Sequence, residues 1–299
     1  MIKLNLKRNH IILICGLYFM LLGNKVSAQL EPLFSQYYSN RYLANPAMAG
    51  LEQRVRLNTA FRQSWTRFPG SPAVQQISAD KGLGKMAAGL NLSSETAGLL
   101  RQFSAFGTFA YHLPLNARGD HLHFGLSGGL LNRSINQNMV VGDVNDEVIP
   151  IYNNRPTTFD ADFGMAYTRG GLTAQLSLNN MMYLFSNHTV RNIDQSTFYL
   201  ATSYRFAPGT KNAVVLEPLA ALRGIRGLDP IFDIGIQSAV LNEQLAFTAL
   251  YSTSNVLNFN IGYTYKQKYT LNFTYGTSTS SLSSYNGGNF EFGLRAVPW

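Results

Sequence analysis

The sequence is poor in charge and almost without cysteine. Only 13% of its 299 residues are Asp, Glu, Lys or Arg, about half of what a soluble domain carries. Its one cysteine, Cys15, lies near the start, so the rest of the chain has no disulfide framework, thiol nucleophile or zinc thiolate. After residue 28 no apolar run approaches the roughly 20 residues a membrane helix needs. No Lys/Arg stripe marks a nucleic-acid surface. Gly125-Leu126-Ser127-Gly128-Gly129 lacks the Lys-Ser/Thr pair of a phosphate loop. These shortages argue against helical membrane proteins, disulfide scaffolds, nucleic-acid binders and nucleotide-binding α/β enzymes. What is present is 45% hydrophobic and 12% aromatic, too apolar for a disordered chain. Asn, Gln, Ser, Thr and Tyr supply the polarity.

Residues 1–28 read as a secretory signal peptide: Lys3, Lys7 and Arg8, an apolar core from Ile11 to Leu22, and small residues at Val26-Ser27-Ala28. A short membrane anchor is the alternative. Cleavage after Ala28 removes the cysteine and four cations, Lys25 among them, and leaves +4 of the formal +8.

From residue 54 onward apolar and polar residues alternate. In Arg54–Trp65, Val55, Leu57, Phe61 and Trp65 share one parity, and Arg54, Arg56, Asn58 and Arg62 the other. Val256–Tyr265 sets Leu257, Phe259, Ile261 and Tyr263 against Asn258, Asn260 and Thr264. Fourteen such segments predict fourteen strands, most of 9 to 12 residues, the length of a tilted strand crossing a bilayer. The odd-numbered connections hold 77 residues together and the even-numbered ones 22. Long loops on one side and tight turns on the other characterise outer-membrane barrels. Trp65, Tyr111, Tyr167, Tyr204, Tyr251, Tyr263, Tyr265 and Tyr275 fall near the strand ends, where interfacial aromatic girdles sit. The predicted fold is all-β: a transmembrane antiparallel up-and-down barrel of about 14 strands over 54–299, in the outer membrane. An even strand count leaves both termini on the short-turn, periplasmic side. A secreted β-sandwich or solenoid is the alternative fold.

Charge on the lipid face costs about 2–4 kcal/mol near mid-bilayer for Arg or Lys, so Arg54, Arg56, Arg62, Asp160, Asp162, Asp233, Glu291 and Arg295 are candidate lumen charges. Closing the barrel is expected to bring the first-strand arginines beside Glu291 and Arg295. The alternative to lumen salt bridging is the gripping of a plug or partner. His121 and His123 share a strand face and are expected to form a solvated pair near the short-turn rim. Ser127 lies roughly 13 Å from His123 at strand rise, too far for a nucleophile–base pair. Asp143, Asp146 and Glu147 do not match the spacing of an EF-hand loop. No catalytic, cofactor or metal site is predicted.

The mature amino terminus carries a motif pair. Glu31, Pro32, Phe34, Ser35, Gln36 and Tyr37 are followed by Asn45, Pro46, Ala47, Met48, Ala49 and Gly50. Both stretches resemble the opening of the PorP/SprF family of the Bacteroidetes type IX secretion system. That family typically has Asn-Pro-Ala-Tyr-Ala-Gly where Met48 stands here. Trp65, Gly70-Ser71-Pro72, Glu217-Pro218 and Gly262-Tyr263-Thr264-Tyr265 extend the resemblance, as does the closing stretch from Phe273 to Leu294. It implies a non-enzymatic outer-membrane barrel of the secretion and gliding apparatus. Such a barrel would help export or attach a large adhesin bearing a carboxy-terminal sorting domain. A periplasmic peptidoglycan-binding protein and other secretion components are the further partners the resemblance implies, besides membrane lipid.

Residues 29–53 lack period two and contain Pro32 and Pro46, which rules out a lipid-facing strand. They are expected to fold at the periplasmic mouth or into the lumen. Pro32, Phe34, Gln36, Tyr37, Asn45, Pro46 and Gly50 are the candidate plug or partner residues, and a merely ordered leader is the alternative. The competing function is a channel or carrier for small or hydrophobic solutes. The sequence leaves the client and the role of the loop at 132–157 open.

Overall fold

The computed structural model describes residues 36–66, 69–136, 148–154, 156–182, 197–209, 214–225, 229–278 and 287–298, all within the compact unit Pro32–Trp299. Fourteen antiparallel strands close into a barrel in sequence order. The first seven are β1 (Val55–Gln63), β2 (Ala73–Leu83), β3 (Met86–Ala97), β4 (Leu100–Pro114), β5 (His121–Ile135), β6 (Thr158–Arg169) and β7 (Leu172–Asn179). The second seven are β8 (Thr197–Tyr204), β9 (Val215–Ile225), β10 (Ile231–Val240), β11 (Leu245–Ser252), β12 (Val256–Tyr265), β13 (Tyr269–Ser278) and β14 (Asn289–Ala296). One short helix, α1 (Val148–Asn153), stands between β5 and β6.

The alternation of the sequence becomes two faces. On β1, Asn58, Ala60 and Arg62 are buried toward the lumen, while Leu57 and Phe61 face outward. Ile77, Leu90, Phe109, Leu126, Phe159, Ile234, Phe259 and Leu271 continue the outer belt, each about half exposed. In water such a belt would be unstable. Facing lipid, it is what holds the barrel in the hydrocarbon. Closure leaves no free edge strand: every strand is hydrogen-bonded to a neighbour on both sides.

The predicted strands agree with the structure to within a few residues, except at β3–β5. There β3 runs to Ala97, and β4 and β5 reach 15 residues each. The connection expected to be long between β3 and β4 is a tight turn at Gly98 and Leu99. Glu95, Thr96, Asn132 and Arg133 in these extensions are polar. A ladder that continues beyond the lipid needs no apolar parity, so periodicity does not register it. The signal peptide, Trp299, the acidic residues of the 132–157 loop and the Pro32 and Phe34 candidates lie outside the described residues.

The seam between β1 and β14 places Phe61 opposite Phe292, Arg62 opposite Glu291 and Asn58 opposite Arg295. Arg62 and Glu291 are both buried on the lumen side. Glu291→Lys would put a second cation directly across from Arg62, and like charges at that spacing repel. The heat-modifiability midpoint of the variant on gels should fall by several degrees; an unchanged midpoint would refute this register as a source of stability.

Candidate functional site

The site is the lumen, and its centre is the stretch before the first strand. Residues 36–53 carry two 3₁₀ turns, Arg41–Leu43 and Pro46–Met48. Asn45 caps the second by accepting from the Ala47 amide, and Pro46 at the first helical position pre-sets the backbone. Pro46, Ala47, Met48 and Ala49 are buried, although they belong to no strand.

This stretch is seated on the barrel wall by backbone approach. Asn45 is fully buried. Its side-chain amide donates to the Met165 and Leu176 carbonyls of β6 and β7 at 3.1 and 3.2 Å, while its Oδ1 accepts from Ala47 N at 2.9 Å. All of its hydrogen-bonding directions toward the wall are thereby used. Such contact is possible because the wall has no side chain there. A Cβ on Gly164 would lie 2.0 Å from Asn45 Oδ1, and one on Gly125 would lie 2.2 Å from the Pro46 carbonyl carbon. Both glycines are lumen-facing, and both are seats for the segment.

Charged side chains then fasten it. The Tyr37 hydroxyl donates to Asp233 Oδ2 at 2.6 Å. Arg223, one strand away, donates to the same carboxylate through Nε at 2.8 Å. Asp233 is fully buried and Arg223 nearly so. Burial pushes the Tyr37 phenol well above its ordinary value, so it remains a donor. Arg41 forms an ion pair with Glu217 on β9. On the other side, Gly50 N and Arg56 Nη2 both donate to Asp80 Oδ2, each at 2.6 Å. The Tyr42 and Thr108 hydroxyls meet at 2.6 Å, and Asn40 donates to Ser78 Oγ at 2.9 Å. Tyr37 packs on Tyr199, with ring centroids 5.9 Å apart.

The histidines depart from the sequence expectation. His123 is not solvated: it is buried, with its Nδ1 2.9 Å from His112 Nδ1 and its Nε2 2.9 Å from Thr168 Oγ1. His112 Nε2 lies 3.0 Å from the Ala49 carbonyl. That carbonyl only accepts, so His112 carries its hydrogen on Nε2 when neutral. His123 then donates through Nδ1, and Thr168 donates to His123 Nε2. Period two placed His121 and His123 together. It gave no access to His112, which comes from the neighbouring strand.

The remaining predicted lumen charges distribute as follows. Asp160 Oδ1 accepts from the Ala161 and Met182 amides, and Asp162 Oδ1 from Asn180 N. Arg295 donates to Glu52 at 2.6 Å. Arg54 is exposed just before β1. Gln36 lines a polar recess with Ser39, Asn58, Asn260, Asn272 and Glu291, between the segment and β12–β14–β1. The recess has room for about one water molecule. Among the described residues no group of three or more His, Cys, Asp or Glu side chains is placed to hold a metal.

A filled outer-membrane-type barrel with this amino-terminal motif pair matches one sequence family over residues 26–296, described as type IX secretion system membrane protein PorP/SprF. The chain belongs to the PorP/SprF family. As a PorP/SprF protein it is an outer-membrane β-barrel associated with type IX secretion. No curated protein matches it in sequence. Among solved structures it is similar to the outer membrane protein Omp33 of Acinetobacter baumannii, at 9% identity and TM-score 0.46 over 83% of this chain and 98% of that one. It is also similar to the deltaS2 mutant of the TodX monoaromatic hydrocarbon channel, at 9% identity and TM-score 0.47 over 87% and 92%. The KdgM porin gives 6% identity and TM-score 0.36 over 81% and 98%.

Proposed function

We propose that this PorP/SprF barrel is a non-enzymatic part of the secretion machinery that helps export a large adhesin with a carboxy-terminal sorting domain, or holds it at the cell surface. In this reading residues 1–28 are removed on export, both termini are periplasmic, and residues 29–53 form a plug. A periplasmic peptidoglycan-binding protein is the further partner. The observation that carries the reading is the seating of the Tyr37–Gly50 stretch along the wall from β2 to β11. Its volume is what a solute pathway through fourteen strands would use. The second reading is a channel or carrier for small or hydrophobic solutes; the polar recess beside Gln36, with room for about one water, is too small to serve as its path while the segment is seated.

Deletion of the gene in the native cell decides between them. The expected result is the loss of one large sorting-domain adhesin from the surface and secreted proteomes. An unchanged surface with altered uptake of a solute would overturn the adhesin role.

A further inference from the structure

The short-turn end of the barrel is ringed with cations. Lys85, Arg118, Lys266 and Lys268 occupy turns after β2, β4 and β12, and all are exposed. Lys81 and Arg169 stand on the last outward rows of β2 and β6, also exposed. Arg169 is within 3.5 Å of Asp120, and Lys266 lies over the Tyr265 ring at 5.3 Å. Lys81, Lys85, Arg118 and Lys268 have no ion pair among the described residues. This is surplus charge, placed where the apolar belt stops.

We propose that this rim is a docking surface for anionic phospholipid headgroups of the leaflet it faces. Three features select lipid over an acidic protein docking end-on. Lys81 shares its outward row with Ile77 and Leu83, and Arg169 shares its row with Phe159. Both therefore point radially into the bilayer margin rather than along the barrel axis. Tyr111, Tyr263, Tyr265 and Tyr269 are exposed at the same level, where aromatic rings reach headgroup depth. Long Lys and Arg stems at that level lie along apolar surface and carry the charge outward to the phosphates. Membrane cations of this kind act through simple attraction, so the interaction weakens as salt rises. The inference concerns the rim alone and does not depend on the identity of any adhesin.

The test uses the purified full mature protein in detergent, with cardiolipin or phosphatidylcholine added and bound lipid counted by native mass spectrometry. The wild type should retain cardiolipin preferentially. The triple variant Lys81→Gln, Lys85→Gln, Lys268→Gln should bind it roughly a hundredfold more weakly, at about fivefold per cation. Arg101→Gln, at the opposite end of the barrel, should leave binding unchanged. Heat-modifiability on gels verifies that each variant is folded. Equal cardiolipin binding by wild type and triple variant would overturn the proposal, as would an equal loss in Arg101→Gln. Full displacement by inorganic phosphate would reduce the rim to a general phosphate site and also refute it. A triple variant that keeps cardiolipin but sheds a co-purifying acidic protein would assign the rim to a protein partner instead.

Discussion

Asp233→Ala is expected to lower the thermal unfolding midpoint of the detergent-solubilised barrel by roughly 10 °C. Asp233 is fully buried and receives hydrogen bonds from Tyr37 and Arg223, the first from the luminal segment and the second from β9. Removing it deprives the buried Arg223 guanidinium of that carboxylate. Breaking one side of such a pair costs about 3–5 kcal/mol, at about 2–4 °C per kcal/mol for a chain of this size. Tyr37→Phe loses only the hydroxyl's hydrogen bond, about 1–2 kcal/mol, and should shift the midpoint far less. The double variant Asp233→Leu, Arg223→Met removes both charges and should recover most of the loss. Differential scanning fluorimetry on the three proteins is the measurement. Equal shifts for Asp233→Ala and Tyr37→Phe would mean that the phenol, not the guanidinium, is the partner that matters.

Gly164→Val is expected to free the luminal segment while leaving the barrel intact. Valine suits a strand, and its side chain takes nothing from the β5–β6–β7 ladder. Its Cβ, however, would stand 2.0 Å from Asn45 Oδ1 and 2.9 Å from Ala47 N. Both are held by local hydrogen bonds, so neither yields cheaply. The segment must lift off the wall. In planar bilayers the variant should show stable conductance steps absent from wild type, and protease should cut within 36–53. Gly107→Ala is the control: its added Cβ meets nothing nearer than a carbonyl oxygen at 4.0 Å. Wild-type conductance equal to that of Gly164→Val would mean that the seated segment does not close the lumen, and would favour the transport reading.

The histidine cluster shows how local the sequence signal is. Alternation placed His121 and His123 on one face and suggested solvation. The carbonyl that fixes His112 belongs to Ala49, 63 positions earlier in the chain. The glycines behave similarly. Alternation does not single out Gly125 or Gly164 as seats, because nothing within a strand's own period says that a foreign backbone will lie on it. Asn45 and Pro46 were legible as a motif and as a break in periodicity, but the motif names residue types, not the carbonyls of Met165 and Leu176 that receive the amide.

By itself the sequence determined the number of strands, their order, most of their boundaries and the family. These follow from the two-residue period, the turn residues between runs and a short motif, all of which are properties of neighbouring positions. The sequence also anticipated that closure would bring the first-strand arginines beside Glu291; only the tertiary structure decided the register that sets Arg62 directly opposite it, the length of β3–β5 beyond the lipid, and the path of residues 36–53 inside the barrel. Barrel closure joins the first strand to the last, and the luminal segment then meets side chains from strands as far apart in sequence as β2 and β10. Tyr37 and Asp233 are 196 residues apart; no local pattern couples them, and it is the diameter and stagger of the closed sheet that bring them to 2.6 Å.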